Sequence, residues 1–203
     1  MSKPIGTLTV HIGCIGSGKT TKLMRYARCS EIGGIPTLVL TPLINHDQPE
    51  IWSSLSERIW RPIPGSTVYI ENYHINRARA VTTTRDGTEI KRLVIDSAHL
   101  LPLSMISRII LARDLGIEVV VAAVQRDFRE QPFDMTRLLL SHADEVVTHF
   151  GVCYICGAER ATCSQRVRDG KPDFTGPIIK TGGVGPNDYM PCCRSCFVFP
   201  PSQ

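Results

Sequence analysis

The sequence predicts an α/β protein with a parallel β-sheet, followed by a small cysteine-rich lobe. Short, almost entirely apolar strand segments alternate with helical segments through residue 150, as in a parallel sheet covered on both faces. After residue 150 cysteine, glycine and proline dominate and helical periodicity disappears. We therefore expect a first domain over residues 1–150 and a second over residues 151–203.

The elements of the first domain are predicted from apolar runs bounded by glycine or proline and from apolar residues at helical spacing. Two polar stretches that contain proline or runs such as TTTRDG, 41–65 and 72–91, are predicted to be loops or irregular helices. The predicted order is strand 7–13, helix 19–30, strand 36–42, strand 66–71, strand 92–96, helix 104–116, strand 117–124, helix 134–143 and strand 144–150.

Composition and charge narrow the class of protein. The 203 residues carry a formal net charge of +4, which is compatible with a small anion such as a nucleotide and too weak to indicate nucleic acid. The longest apolar run, residues 119–124, is far shorter than the roughly 18 residues of a membrane helix. The N-terminus makes a poor signal peptide. We expect a cytoplasmic protein with no membrane and no nucleic-acid partner.

Residues 13–20, GCIGSGKT, fit the phosphate-loop pattern G-x-x-x-x-G-K-[ST] between a predicted strand and a predicted helix. Small residues let backbone N–H groups turn toward phosphate oxygens, and the following helix adds the positive end of its dipole. Lys19 is expected to reach the β- and γ-phosphates of ATP, and the Thr20 hydroxyl to ligate Mg²⁺. The alternative is an ordinary glycine-rich turn. The candidate nucleotide-binding residues are Gly13, Ile15, Gly16, Ser17, Gly18, Lys19, Thr20 and Thr21.

An acidic residue closes one of the predicted strands. In LVIDSAHLL, residues 93–101, Asp96 follows an apolar run. An acid at a strand end, downstream of a phosphate loop, is typical of a magnesium site, and we expect Asp96 to hold Mg²⁺ through water. A turn or capping role is the alternative.

Four of the eight cysteines form two C-x-x-C pairs, Cys153 with Cys156 and Cys193 with Cys196. Four thiolates at this spacing predict a closed, tetrahedral, structural Zn²⁺ site, with redox chemistry or free thiols as the alternative. The metal would hold the base of the long loop 157–192, and loops of this length are usually functional or disordered.

Three further segments match known motifs. Residues 127–133, DFREQPF, match D-F-R-x-x-P-F; residues 151–166, GVCYICGAERATCSQR, match A-V-C-x-x-C-G…A-x-[FY]-T-x-R; residues 181–196, TGGVGPNDYMPCCRSC, match I-G-G…Y-x-x-V-C-R-x-C. With the phosphate loop, these segments resemble the cellular-type (type II) thymidine kinase family in the right order over most of the chain. Only residues 42–90 align poorly.

The resemblance implies a RecA-like core and a zinc lobe whose long "lasso" loop covers the nucleoside. It further implies transfer of the ATP γ-phosphate to the 5′-hydroxyl of thymidine or an analogue, in a homo-oligomer that is usually a tetramer. Ordinary core positions remain the alternative for Ile15, Val124 and Phe133. The implied substrate-binding residues are Ile15, Leu100, Val124, Phe128, Phe133, Ser164, Ile178, Thr181, Gly182 and Tyr189, and the lasso grip spans 178–183.

The chain departs from the family at the end of the strand that Asp96 closes. The family reads D-E-[AG]-Q-F, whereas this chain reads Asp96, Ser97, Ala98, His99, Leu100. The family glutamate acts as the general base on the 5′-hydroxyl, which serine cannot do at neutral pH. In an extended strand residues two apart share a face, so His99 would lie on the Ser97 side and could substitute as base. A pocket wall is the alternative for His99. The candidate catalytic residues are Lys19, Asp96, Ser97 and His99.

Two other departures accompany this one. Asn45 and Asp47 stand where the family has a D-x-R element, and Gln125 and Arg126 replace an aspartate and a glycine. Two hypotheses follow: an active deoxynucleoside kinase with an altered substrate range, or a non-catalytic descendant that binds nucleotide in regulation or assembly. A nucleic-acid-binding zinc ribbon is disfavoured, because the chain lacks a concentrated basic stripe.

Overall fold

The structure is a computed structural model and describes residues 5–42, 51–53, 58–60, 62, 65–73, 81–84, 86–178 and 184–201. Its helices are α1 (Lys19–Ile32), α2 (Met105–Asp114) and α3 (Asp134–His142), with a 3₁₀ turn at Ala98–Leu100. Its strands are β1 (Leu8–Ile12), β2 (Thr37–Pro42), β3 (Ile51–Ser53), β4 (Arg58–Trp60), β5 (Val68–Tyr73), β6 (Arg92–Ile95), β7 (Glu118–Ala123), β8 (Glu145–Thr148), β9 (Cys163–Arg168), β10 (Lys171–Pro172) and β11 (Tyr189–Cys192).

A six-stranded sheet in the order β5-β2-β6-β7-β1-β8 forms the centre of the first domain, and every pairing in it is parallel. The α/β prediction is therefore confirmed. Because the strands are parallel, the carboxyl ends of β1, β6 and β7 meet at one edge of the sheet, where ligands bind in such folds.

Helices cover both faces of this sheet, which explains why residues 93–95 of β6 and 119–123 of β7 are apolar without alternation. On one face, Leu23 and Ala27 of α1 pack against Val94 and Val120. On the other face, α2 and α3 pack against the alternate residues of the same strands, so that Met105, Ile109 and Leu139 join Leu93, Ile95, Val119 and Val121.

The C-terminal lobe contains a three-stranded antiparallel sheet in the order β10-β9-β11, which the sequence did not predict. Its small core consists of Cys153, Ala161, Cys163, Cys192 and Phe197, and Cys14 of residues 13–20 packs into the same cluster. This shared cluster joins the lobe to the segment between β1 and α1. The expected boundary between residues 150 and 151 stays a prediction.

Part of the region predicted to be irregular is a β-hairpin, since β3 and β4 pair antiparallel. The prediction of loops or irregular helices over 41–65 is wrong there. The segments IWS and RIW have the β-branched and aromatic residues that favour strands, but each is only three residues long. None of the helices in the described part of the chain has the length and apolar character needed to cross a bilayer.

Candidate active site

Residues 13–18 form a tight loop between β1 and α1, and two glycines impose its course. Gly18 has a φ of 84°, in the left-handed region that disfavours other residues. A Cβ on Gly13 would lie 2.4 Å from the carbonyl oxygen of His149. The loop therefore curls against the end of β8, as the motif predicts.

The Lys19 side chain is buried and folds back over this loop. Its Nζ donates to the Cys14 carbonyl oxygen at 2.7 Å and lies 3.4 Å from Ser17 Oγ. Burial lowers the pKa of Lys19 to about 8, although nearby Cys14 and Asp96 act in the opposite direction. A phosphate group entering the loop would give this ammonium a stronger partner than one neutral carbonyl.

Thr20 and Asp96 meet beside Lys19. Thr20 Oγ1 donates to Asp96 Oδ1 at 3.1 Å, and the carboxylate is buried. Burial raises the pKa of Asp96 to about 6, partly opposed by the Thr20 hydrogen bond and by Lys19. A buried carboxylate beside a hydroxyl offers the oxygen ligands that Mg²⁺ prefers, and a bound cation would offset the cost of burying its charge. The two residues therefore fit the predicted magnesium role.

The strand that carries Asp96 ends one residue earlier than the sequence suggests. β6 stops at Ile95, Ser97 has φ 51° and ψ 39° in the left-handed region, and a 3₁₀ turn follows. The expectation that an extended strand sets His99 on the Ser97 side is wrong for this reason. A non-glycine residue in this conformation costs about 1–2 kcal/mol, so the turn is held by its surroundings.

His99 contacts Val124 and Phe133, two of the residues that the family resemblance assigns to the nucleoside. Its Nδ1 accepts a hydrogen bond from the Val124 N–H at 3.3 Å, and its ring meets the Phe133 ring edge-on, with centroids 4.7 Å apart. Burial, aided by the charge of Lys19, lowers the pKa of His99 to about 3. A ring whose pKa is so low and whose Nδ1 lone pair is occupied is a poor general base, and these contacts favour the pocket-wall alternative.

The other implied substrate-binding residues fall into three groups. Leu100, Val124, Phe128 and Tyr189 are buried, and Phe133 is partly buried. Ser164 Oγ accepts a hydrogen bond from the Ile15 N–H at 2.9 Å, joining β9 to the phosphate loop. Ile178 is exposed, whereas Thr181 and Gly182, with the rest of 179–183, and also Asn45 and Asp47, lie outside the described residues.

Two arginines hold the segment that leads into the lasso. Arg166 is fully buried, stacks 3.6 Å from the Phe128 ring centroid and donates from Nη1 to the Pro177 carbonyl oxygen at 2.7 Å. Arg129 donates to the carbonyl oxygens of Phe174 and Gly176 at 3.0 and 2.8 Å. Neither of these roles was predicted from the sequence, although Arg129 is the arginine of the D-F-R motif and Arg166 that of the T-x-R motif.

The four predicted zinc ligands come together in the second lobe. The sulfur atoms of Cys153, Cys156, Cys193 and Cys196 all lie within 4.8 Å of one another, and those of Cys156 and Cys193 are 3.7 Å apart. Tetrahedral zinc with Zn–S bonds of about 2.3 Å needs sulfur atoms about 3.8 Å apart. Although burial opposes ionisation, backbone N–H groups of Cys193, Cys156 and Ile155 lower the pKa of Cys153 to about 6. The residues therefore fit a structural zinc ion.

Comparison with known proteins agrees with this geometry. The family model described as "Thymidine kinase" matches residues 6–197. The chain belongs to the thymidine kinase family. A thymidine kinase of Roseiflexus castenholzii is 31% identical over 201 residues, covering 95% of this chain and 94% of that protein. A thymidine kinase of Thermococcus kodakarensis is 31% identical over 208 residues, covering 97% and 96%. A thymidine kinase of Listeria innocua is 30% identical over 194 residues.

This chain departs from the thymidine kinase family pattern at Gln125 and Arg126, and both residues contact the segment that follows them. Arg126 Nη1 lies 3.2 Å from Glu130 Oε2, which also receives Arg194 Nη1 at 3.0 Å. Gln125 accepts a hydrogen bond from the Phe133 N–H through its backbone carbonyl at 3.1 Å. Glu130 of the DFREQPF segment thus forms ion pairs with Arg126 and with Arg194 of the C-terminal lobe. These ion pairs connect that segment to the lobe, and Arg126 makes them away from the buried Lys19 and Asp96.

Proposed function

We propose that the protein transfers the γ-phosphate of ATP to the 5′-hydroxyl of a deoxynucleoside, thymidine or a close analogue. The observation that carries this proposal is the buried group formed by Lys19, Thr20 and Asp96 at the carboxyl edge of the sheet. Relatives named thymidine kinase, about 30% identical along almost the whole chain, support the substrate class.

On the phosphate side, the chain supplies positioning and charge neutralisation. The curled backbone of residues 13–20 directs N–H groups at the phosphates, and Lys19 exchanges the Cys14 carbonyl for a phosphate oxygen. Mg²⁺, held through Thr20 and Asp96, would neutralise charge on the β- and γ-phosphates. These contributions dominate phosphoryl transfer, because its transition state is loose.

On the acceptor side, the proposed enzyme works without the family glutamate. Ser97 cannot accept the 5′-hydroxyl proton, and His99 is neutral with Nδ1 occupied. Loss of a general base typically costs about 10²–10⁴ in rate. Because the nucleophile is deprotonated late in a loose transition state, we expect a slow kinase, well below the usual roughly 1–100 s⁻¹.

The second lobe holds the lasso in this proposal. Structural zinc on the four cysteines fixes the ends of the loop, while Arg129 and Arg166 fix the stem around Phe174–Pro177. The lasso then covers the nucleoside, as the family resemblance implies. A homotetramer is proposed on that resemblance alone, and a cytoplasmic location stays a prediction.

The proposal is tested by coupled detection of ADP with Mg-ATP and each of the four common deoxynucleosides. Lys19→Met, purified in parallel, reports contaminating kinases. We expect ADP formation with at least one nucleoside, and a nucleoside 5′-monophosphate as product. A silent wild-type protein that still binds ATP would contradict the proposal and favour the non-catalytic nucleotide-binding hypothesis. Failure to bind ATP or any nucleoside would contradict both.

A further inference from the structure

His99 occupies the boundary between the two halves of the cleft. It follows Asp96 by three residues and lies on the 3₁₀ turn Ala98–Leu100 that comes after β6. Its other neighbours, Val124 and Phe133, belong to the wall that the family resemblance assigns to the nucleoside. The ring therefore lies between the proposed phosphate-binding residues and the proposed nucleoside-binding residues.

The contact with Val124 fixes which ring nitrogen carries the proton. A backbone N–H can only donate, so Nδ1 of His99 must offer its lone pair, and the proton of the neutral ring is on Nε2. Protonation at Nδ1 would set two donors against each other. The carbonyl of Val124 is also fixed, because Thr136 Oγ1 donates to it at 2.7 Å. The end of β7 thus holds the ring in one orientation and one tautomer.

The opposite end of the ring carries the N–H of Nε2, which is a hydrogen-bond donor. Within the part of the chain that the structure describes, no residue accepts a hydrogen bond from Nε2 of His99. The family motif has glutamine at this position, whose terminal amide is also a donor. Histidine keeps a terminal N–H donor while its Nδ1 accepts the Val124 N–H, whereas a general base requires a free lone pair.

We infer that His99, whose Nδ1 accepts the Val124 N–H, donates its Nε2–H to an acceptor atom of the bound deoxynucleoside. His99 is then a substrate-binding residue of the acceptor site and not the substitute base for the missing glutamate. The inference rests on the proposed function for the identity of the ligand. It goes beyond that function because it names the His99 imidazole as a group that contacts the nucleoside where family residues have been replaced.

Two substitutions separate hydrogen-bond donation from shape. His99→Phe keeps a ring against Phe133 but has no N–H, while His99→Gln keeps a terminal N–H donor. We expect His99→Phe to lower kcat/KM for the nucleoside about 10- to 100-fold, the range for one lost hydrogen bond, with the KM for ATP within about twofold of wild type. His99→Gln should recover most of that loss. Equal impairment of the two variants, or a weakened ATP interaction in His99→Phe alone, would overturn the inference.

A measurement on the wild-type protein guards against variants that fail to fold. In protein carrying ¹⁵N-histidine, the His99 signals are assigned by their absence from the spectrum of His99→Gln. We expect an Nε2–H tautomer that does not titrate between pH 5 and 8, and an Nε2 signal that shifts when thymidine is added. An Nδ1–H tautomer, a titration near pH 6.5, or an unresponsive signal in an active enzyme would overturn the inference.

The same spectra distinguish the failure of the two proposals. A signal that responds to thymidine in a protein that transfers no phosphate would contradict the proposed activity and support the role of His99. An active kinase whose His99 signal ignores the nucleoside would do the reverse.

Discussion

The phosphate side and the acceptor side of this cleft are built differently. Residues 13–20 match the phosphate-loop pattern at every fixed position, and the site they form depends on backbone N–H groups, two glycine conformations and one buried cation. The acceptor side depends on side chains, and there Ser97, His99 and Gln125 depart from the family pattern. A site formed by backbone groups tolerates few residue types, because its conformation depends on them. In a site formed by side chains, individual residues can be substituted while the rest of the pocket keeps its shape.

The difference also separates binding from chemistry. The acceptor side has lost a carboxylate but keeps the buried stack of Arg166 on Phe128 and the arginine contacts to the lasso stem. We therefore expect the departures from the family pattern to reduce nucleoside affinity less than they reduce the rate of phosphoryl transfer. The following variants act on one side at a time.

The largest effect should come from breaking the phosphate side. Lys19→Met removes the cation that faces the phosphates, and we expect phosphoryl transfer to fall at least about 10²–10³-fold. Lys22→Met is the matched control, since Lys22 is on the same helix with its Nζ 5.6 Å from the Tyr26 ring centroid. Steady-state kinetics measure the rate of phosphoryl transfer in both variants. A loss below about fivefold in Lys19→Met would contradict the account.

Removal of a zinc ligand should destabilise the lobe that supports the acceptor side. In Cys193→Ser we expect loss of one bound zinc per chain and a thermal unfolding midpoint lower by roughly 10 °C, because about 3 kcal/mol corresponds to that shift in a chain of this size. Cys29→Ser, at an exposed cysteine of α1, should change neither. Metal analysis and calorimetry measure both quantities. Unchanged zinc content in Cys193→Ser would exclude the assigned ligand set.

Loosening the lasso stem should weaken the acceptor side selectively. Arg166 and Arg168 both face Asp173, with nitrogen–oxygen distances of 3.6 and 3.0 Å, but only Arg166 is buried on Phe128 and bound to Pro177. We expect Arg166→Met to raise the nucleoside KM about tenfold with little change in ATP affinity. Arg168→Met should stay near wild type, and a similar rise in both variants would assign the effect to Asp173.

The smallest effect concerns a histidine pair behind the phosphate loop. Nδ1 of buried His11 lies 2.8 Å from Nε2 of His149, and burial lowers the pKa of both rings, that of His11 to about 4. The unfolded chain therefore binds more protons, and the unfolding free energy should fall as pH drops from 6.5 toward 4. In His11→Leu/His149→Leu this slope should be shallower, by up to about 1.4 kcal/mol per pH unit for each ring.

Denaturant titrations at several pH values measure that slope. His142→Gln, at an exposed position on α3, should keep the wild-type slope. A double variant whose stability follows pH as steeply as wild type would show that the pair is not neutral in the fold.

The sequence predicted best where local chemistry decides the structure. The order of strands and helices and the phosphate loop followed from apolar runs and glycines, because helices cover both faces of the parallel sheet. The four-cysteine cluster followed from spacing, because C-x-x-C turns bring two thiols together within a few residues.

The contacts that the sequence did not predict come from distant parts of the chain. The ring orientation of His99 depends on Val124, and the burial of Arg166 depends on Phe128, 38 positions earlier. Ser97 adopts a left-handed conformation that its residue type does not suggest, and this turn invalidated the extended-strand argument. The β3–β4 hairpin was missed because three-residue strands give too little periodic signal.

The central claim, that the phosphate side is intact while the missing general base slows the transfer step, is tested most directly by Ser97→Glu. The measurement is the single-turnover rate of transfer from ATP to thymidine, with ATP affinity measured in parallel and Ser97→Ala as control. We predict unchanged ATP affinity and a rate at least about tenfold above wild type, toward the 10²–10⁴ that a general base contributes. A folded Ser97→Glu protein that binds ATP normally and transfers phosphate no faster than wild type would contradict the account.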